Sequence, residues 1–148
     1  MLKINIHLML LVAAMSLFVA CGSRSTDLES EDLSVNPLPE CPDSPNCVRV
    51  TRAVDQPLET AWDAAVAGLN AMKPKEIDAD PDLYRLEAVF VVVFFSDDLS
   101  IKLEKNPKKG TMLHLRSASR TGYSDLGVNR RRVNRFLSLF HRNLPDGT

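Results

Sequence analysis

The stretch RSASRTGYSDLGVNRRRVNRF, residues 116 to 136, holds most of the arginine of this chain beside small hydroxyl and amide side chains. Arg116 and Arg120 alternate with Ser117 and Ser119 at a strand end, so the arginines point to one side and the serines to the other. Gly122 permits a turn. Ser124, Asp125 or Asn129 can cap the helix that follows. Arg130, Arg131 and Arg132 then fall in its first turns, where the helix dipole is already positive and each cation is unfavourable by roughly 0.3–1 kcal/mol. Two chemistries fit this pattern. A phosphate or carboxylate can bind at an arginine-flanked helix N-terminus. Alternatively, Asp97, Asp98 and Asp125 neutralise Arg116, Arg120, Arg130 and Arg132 in an internal ion-pair network.

A second group with chemical potential is CPDSPNCV, residues 41 to 48. Five residues separate Cys41 from Cys47, and two of them are prolines, so the loop is turn-prone. Closed by a disulfide, it gains roughly 2 kcal/mol by the loop-entropy estimate. As a free thiol, Cys47 would need a base, and the candidates are His114 and His141. Asp97 and Asp98 offer a paired acid and base only if a turn brings them together, because adjacent residues of a strand point apart. No zinc spacing, glycine-rich phosphate loop or Gly-x-Ser-x-Gly elbow is present, so neither a metal nor a cofactor is expected.

The formal charge of −1 over 148 residues argues against a nucleic-acid binder. The N-terminus carries an address. Lys3 precedes an apolar run from Leu8 to Val19, which has the length of a secretory h-region and is short for a membrane span. LFVAC ends that run and resembles a bacterial lipobox, although Phe18 stands where leucine is preferred. This implies a signal peptide over residues 1–20 and lipid on Cys21. Gly22 stands where aspartate would resemble an inner-membrane retention signal, which favours the outer membrane, facing the periplasm. With Cys21 lipidated, Cys41 and Cys47 remain as an even pair in an oxidising compartment. Residues 21–40 then form a flexible acidic tether carrying Asp27, Glu29, Glu31, Asp32 and Glu40.

The elements that must position these groups follow from periodicity. Val48 to Val54 alternates and is β-branched, as a strand requires. Gln56 to Met72 has Pro57 at its start and an apolar stripe from Leu58 through Ala61, Ala65 and Leu69, as a helix requires. Tyr84 to Phe95 reads as one long strand, broken by SDD at residues 96–98. Its VFVVVFF half is apolar on both faces, so central and covered. Leu99 to Glu104 and Thr111 to Arg120 read as two more strands, with His114 solvated. Asn129 to His141 reads as the last helix, its stripe formed by Val133, Phe136, Leu137 and Phe140. The order is strand, helix, three strands, helix. It predicts a single α+β domain over residues 41–145, with a mostly antiparallel sheet and two packed helices.

CPDSPNCV and RSASRTGYSDLGVNRRRV, together with FFSDD between two strands, resemble the family called domain of unknown function 1499. The resemblance covers residues 41 to 144 and implies a bacterial envelope or plastid protein. Members often carry serines after PNCV, where this chain has Arg49 and Val50. It implies no activity. The chain therefore reads as a lipid-anchored envelope protein whose domain is a non-catalytic binding module for an anionic ligand or an envelope protein. The alternative is an envelope enzyme built on Cys47 or on Asp97 and Asp98 beside the arginines.

Overall fold

A computed structural model describes residues 35–145. The expected signal peptide, Cys21 and the expected tether up to residue 34 lie outside the described residues. The elements run β1 (Cys47–Val54), α1 (Leu58–Ala71), β2 (Glu76–Asp80), β3 (Arg85–Val92), β4 (Phe95–Lys105), β5 (Thr111–Ser119) and α2 (Val128–Asn143). All strand pairs are antiparallel, in the order β1-β5-β4-β3-β2. Both helices pack on one face of the sheet and on each other, so the domain is α+β in two layers.

The core follows the period-2 pattern of the strands. Val48, Val50, Leu86, Leu99, Ile101, Leu103, Leu113 and Leu115 face the helices and are buried. From the helices come Leu58, Ala61, Ala65, Leu69, Val133, Phe136 and Phe140. The two helices approach closely at Gly68, where a Cβ would stand 3.1 Å from the Phe140 backbone nitrogen. Trp62 lies beside this core, edge-on to Tyr84 with ring centroids 5.7 Å apart.

Three expectations are corrected. Tyr84 to Phe95 is not one strand. β3 ends at Val92, Val93 and Phe94 form a two-residue turn, and Phe95 opens β4 opposite Val92. The VFVVVFF segment is not covered on both faces: Phe94 is 92% exposed and Val93 76%. An apolar run reports hydrophobicity, and nothing in Val-Phe signals a turn. Second, SDD does not break a strand. Asp97 and Asp98 lie inside β4, paired with Phe90 and Val89 of β3. Third, His114 is not solvated but 1% exposed, its Nδ1 3.1 Å from Thr51 Oγ1. β2 is an added edge strand whose acid-rich EIDAD lacks a buried face.

Residues ahead of Cys41 also pack. Asn36 and Leu38 are buried. Asn36 Nδ2 donates to the Val50 carbonyl and to Thr51 Oγ1, which shields the free edge of β1. Among the described residues no helix is long and apolar enough to cross a membrane.

Candidate functional site

The two quoted motifs meet at one end of the sheet. Cys41 and Cys47 are joined by a disulfide with Cα atoms 5.6 Å apart. Cys47 opens β1 opposite Ala118 of β5, and Asp97 of β4 stands opposite Ser119. The loop after β5 leads into α2. Gly127, at φ +78, makes the bend. Gly127 is the N-cap, and Asp125, two residues before it, supports the helix start: its carboxylate accepts the Gly127 N–H at 2.8 Å and the Asn129 N–H at 2.6 Å. Ser124 Oγ accepts the Leu126 N–H at 3.3 Å.

Behind this cap lies a buried polar hub on the helix side of the sheet. Arg132 reaches from α2 to Asp97, Nη2 to Oδ2 at 2.6 Å, with both side chains at most 6% exposed. Its Nη1 donates to Asn129 Oδ1 at 2.6 Å and to Ser117 Oγ at 3.2 Å. The Arg132 guanidinium stands 4.7 Å over the Phe90 ring, a cation–π contact. Ser117 Oγ donates to Asn129 Oδ1 at 2.6 Å. Asn129 Nδ2 donates to Ser119 Oγ and to the Asn46 carbonyl, each at 3.0 Å. Asn129 thus has both amide hydrogens and its carbonyl oxygen engaged, as a fully buried amide requires. Asn46 closes the hub: its Nδ2 donates to the Gly122 carbonyl at 2.5 Å, and its Oδ1 accepts from Ser44 Oγ at 2.7 Å.

Asp98, Arg116 and Arg120 lie on the opposite face of the sheet. Asp98 points away from Asp97 and receives Arg120 through Nε and Nη2, at 2.8 to 3.1 Å, in a largely exposed pair. That contact holds the Arg120 guanidinium more firmly charged than usual. Arg116 stands opposite Arg49 in the β1–β5 ladder. The Nε atoms of both are buried and have no hydrogen-bond partner among the described residues. Arg49 Nη2 donates to the Asn36 carbonyl. One rung along, burial pushes the His114 pKa down; Glu104 opposes this, and Arg49 and Lys102 add to it.

The arginine cluster is therefore divided by the sheet. Arg132 and Asp97 join Ser117, Ser119 and Asn129 inside; Arg120 and Asp98 pair outside; Arg116 stands beside Arg49. Arg130 and Ser124, with Pro45 and Leu126, line a shallow pocket of about 360 Å³ at the α2 N-terminus. Nothing in the sequence marks Asn36, Asn46, Arg49 and Phe90 as members of the site. Asn46 sits in a loop whose prolines explain its shape but not its side chain's partners. Arg49 and Phe90 fit an alternating strand, and only the register shows what each lies beside. Among the described residues no three His, Cys, Asp or Glu side chains stand together as metal ligands would.

Comparison with known proteins gives one family. No curated protein matches the chain. Among solved structures, protein CV1439 from Chromobacterium violaceum aligns at 13% identity with a TM-score of 0.38, covering 67% of this chain and 94% of that one. The family model described as "Protein of unknown function (DUF1499)" matches residues 37–140, which take in both motifs and every residue of the hub. This chain belongs to that family.

Proposed function

We propose that this protein is a lipid-anchored component of the bacterial envelope whose domain binds an anionic group and performs no chemistry on it. One observation carries the reading. Arg49 and Arg116 face each other across the ladder, and each keeps a buried Nε without an acceptor. Like charges directly opposite in a sheet are destabilising, and a buried donor left unpaired costs about 1–3 kcal/mol. A carboxylate or phosphate oxygen lying between the two guanidiniums removes both penalties. Two further cations of the motif fit this reading by contrast, since Arg132 and Arg120 are answered by Asp97 and Asp98.

The enzyme reading loses its parts on the same geometry. Cys47 is held in a disulfide, and Asp97 and Asp98 project to opposite faces. The anchor is supported by the h-region and the small residue before Cys21. Calorimetric titration of the purified chain with inorganic phosphate at constant ionic strength tests the binding role. Saturable heat that disappears in Arg116→Gln and Arg49→Gln supports it. Equal heats in all three chains overturn it. Mass spectrometry of the mature N-terminus tests the anchor, and an unacylated Cys21 would remove it.

A further inference from the structure

The β3–β4 turn breaks the ordinary chemistry of hairpins. Val93 occupies its first central position at φ +59, a left-handed conformation. Two-residue turns of this kind favour glycine there, and a β-branched residue is strained in it. The sequence nonetheless places Val-Phe at the tip, and both side chains stand out from the domain. Residues 91–95 are all apolar, each between 36% and 92% exposed. No charged residue lies between Arg85–Glu87 and Asp97. Tyr123, 75% exposed, and Leu126, 85% exposed, belong to the loop after β5. That loop leaves the sheet at the same end, because the Arg120 N–H still bonds the Ser96 carbonyl at 2.9 Å. Strain retained at an exposed turn points to a role for the side chains it displays.

We infer that this apolar tip, residues 91–95 with Tyr123 and Leu126, is a wedge that enters the interfacial zone of the lipid bilayer to which the domain is tethered. The inference rests on the anchored reading above. The residues from Cys21 to Val35 reach at most about 45–50 Å when extended. A domain held on that leash meets the bilayer at high effective concentration, so a weak second contact is enough to orient it. Apolar groups of peripheral proteins sink about 5–10 Å into the headgroup and acyl boundary, where aromatic rings are favoured. A spanning strand needs about 9–11 residues, which this tip lacks. Its convex shape also suits lipid, which closes around a protrusion without a matching groove.

The test places an indole at the tip. Full-length Phe94→Trp is purified with its native lipid and reconstituted into phosphatidylethanolamine–phosphatidylglycerol vesicles with brominated acyl chains. The parent chain, whose Trp62 packs on Tyr84 away from the tip, is the reference. The expected result is blue-shifted emission in Phe94→Trp, with the new indole's intensity lost most to bromines nearest the headgroups, while the parent is unaffected. Unquenched emission from protein that floats with the vesicles overturns the wedge and leaves the anchor standing. A blue shift that follows protein concentration instead of lipid also overturns it, in favour of a second copy as occupant. If mass spectrometry finds Cys21 unacylated yet added protein is still quenched, the anchor fails and the wedge survives.

Discussion

Arg132 of α2 and Asp97 of β4, 35 residues apart in sequence, meet at 2.6 Å in an almost fully buried ion pair. The pair ties the α2 N-terminus to the middle of the sheet. Through Ser117, Asn129 and Asn46 it also ties both to the disulfide loop. A buried charge without its partner is far more costly than the pair is stabilising. Asp97→Asn and Arg132→Gln should therefore each lower unfolding stability by about 3–5 kcal/mol. The double replacement Asp97→Leu with Arg132→Met should recover most of that loss. Urea melts of the four chains check this, and near-additive single and double losses would count against the hub.

Arg120 and Asp98 share three hydrogen bonds where Arg132 and Asp97 share one, but they do so in water. Their side chains are 52% and 38% exposed, so solvent screens the attraction. Asp98→Asn should cost only about 0.2–1 kcal/mol, and 1 M salt should erase most of it. A loss equal to that of Asp97→Asn would show that exposure is not what separates the two pairs.

His114 sets a dependence on pH. Burial lowers its folded pKa below the ordinary 6.5, chiefly by desolvation, with Arg49 and Lys102 acting in the same direction. The unfolded chain then binds the proton more readily, so stability is full above pH 6.5 and falls as the pH drops through the folded pKa. Between pH 7.5 and 5 the melting temperature should fall more steeply for the native chain than for His114→Gln. Parallel slopes would mean that His114 takes up its proton as easily in the folded protein as in the unfolded one.

The Cys41–Cys47 bridge closes a short loop, so its contribution should be modest. Cys41→Ser with Cys47→Ser should cost about 2 kcal/mol by loop entropy. The added expectation is local. Asn46 lies inside that loop and bonds Gly122 and Asn129, so hydrogen exchange should quicken at Ser119 and through residues 120–127. Unchanged exchange there would separate the bridge from the hub.

Much of the fold was legible because helices and half-buried strands write their period into the sequence. The stripes of α1 and α2 and the alternation of β1, β4 and β5 gave their places and inward faces. The β3–β4 hairpin was hidden because Val93 and Phe94 carry no turn signal. β2 was hidden because an acidic, exposed edge strand has no apolar face to read. His114 was misread because what buries it is tertiary: Asn36, from a stretch with the composition of a linker, closes over Thr51. The site was legible as a list of charges and illegible as pairs. Which arginine meets which carboxylate depends on register, and Asp97 and Asp98 differ by one residue and one whole face of the sheet.

Arg49 and Arg116 each keep one buried Nε for which an external anion is the proposed acceptor. Nitrogen-15 spectra of the arginine Nε–H groups during a phosphate titration at fixed ionic strength test it most directly. Two Nε–H signals, assigned through Arg49→Lys and Arg116→Lys, should be slow to exchange and should shift together and saturably. Signals that move no further than those of Arg135 and Arg142, on the far stretch of α2, would contradict it.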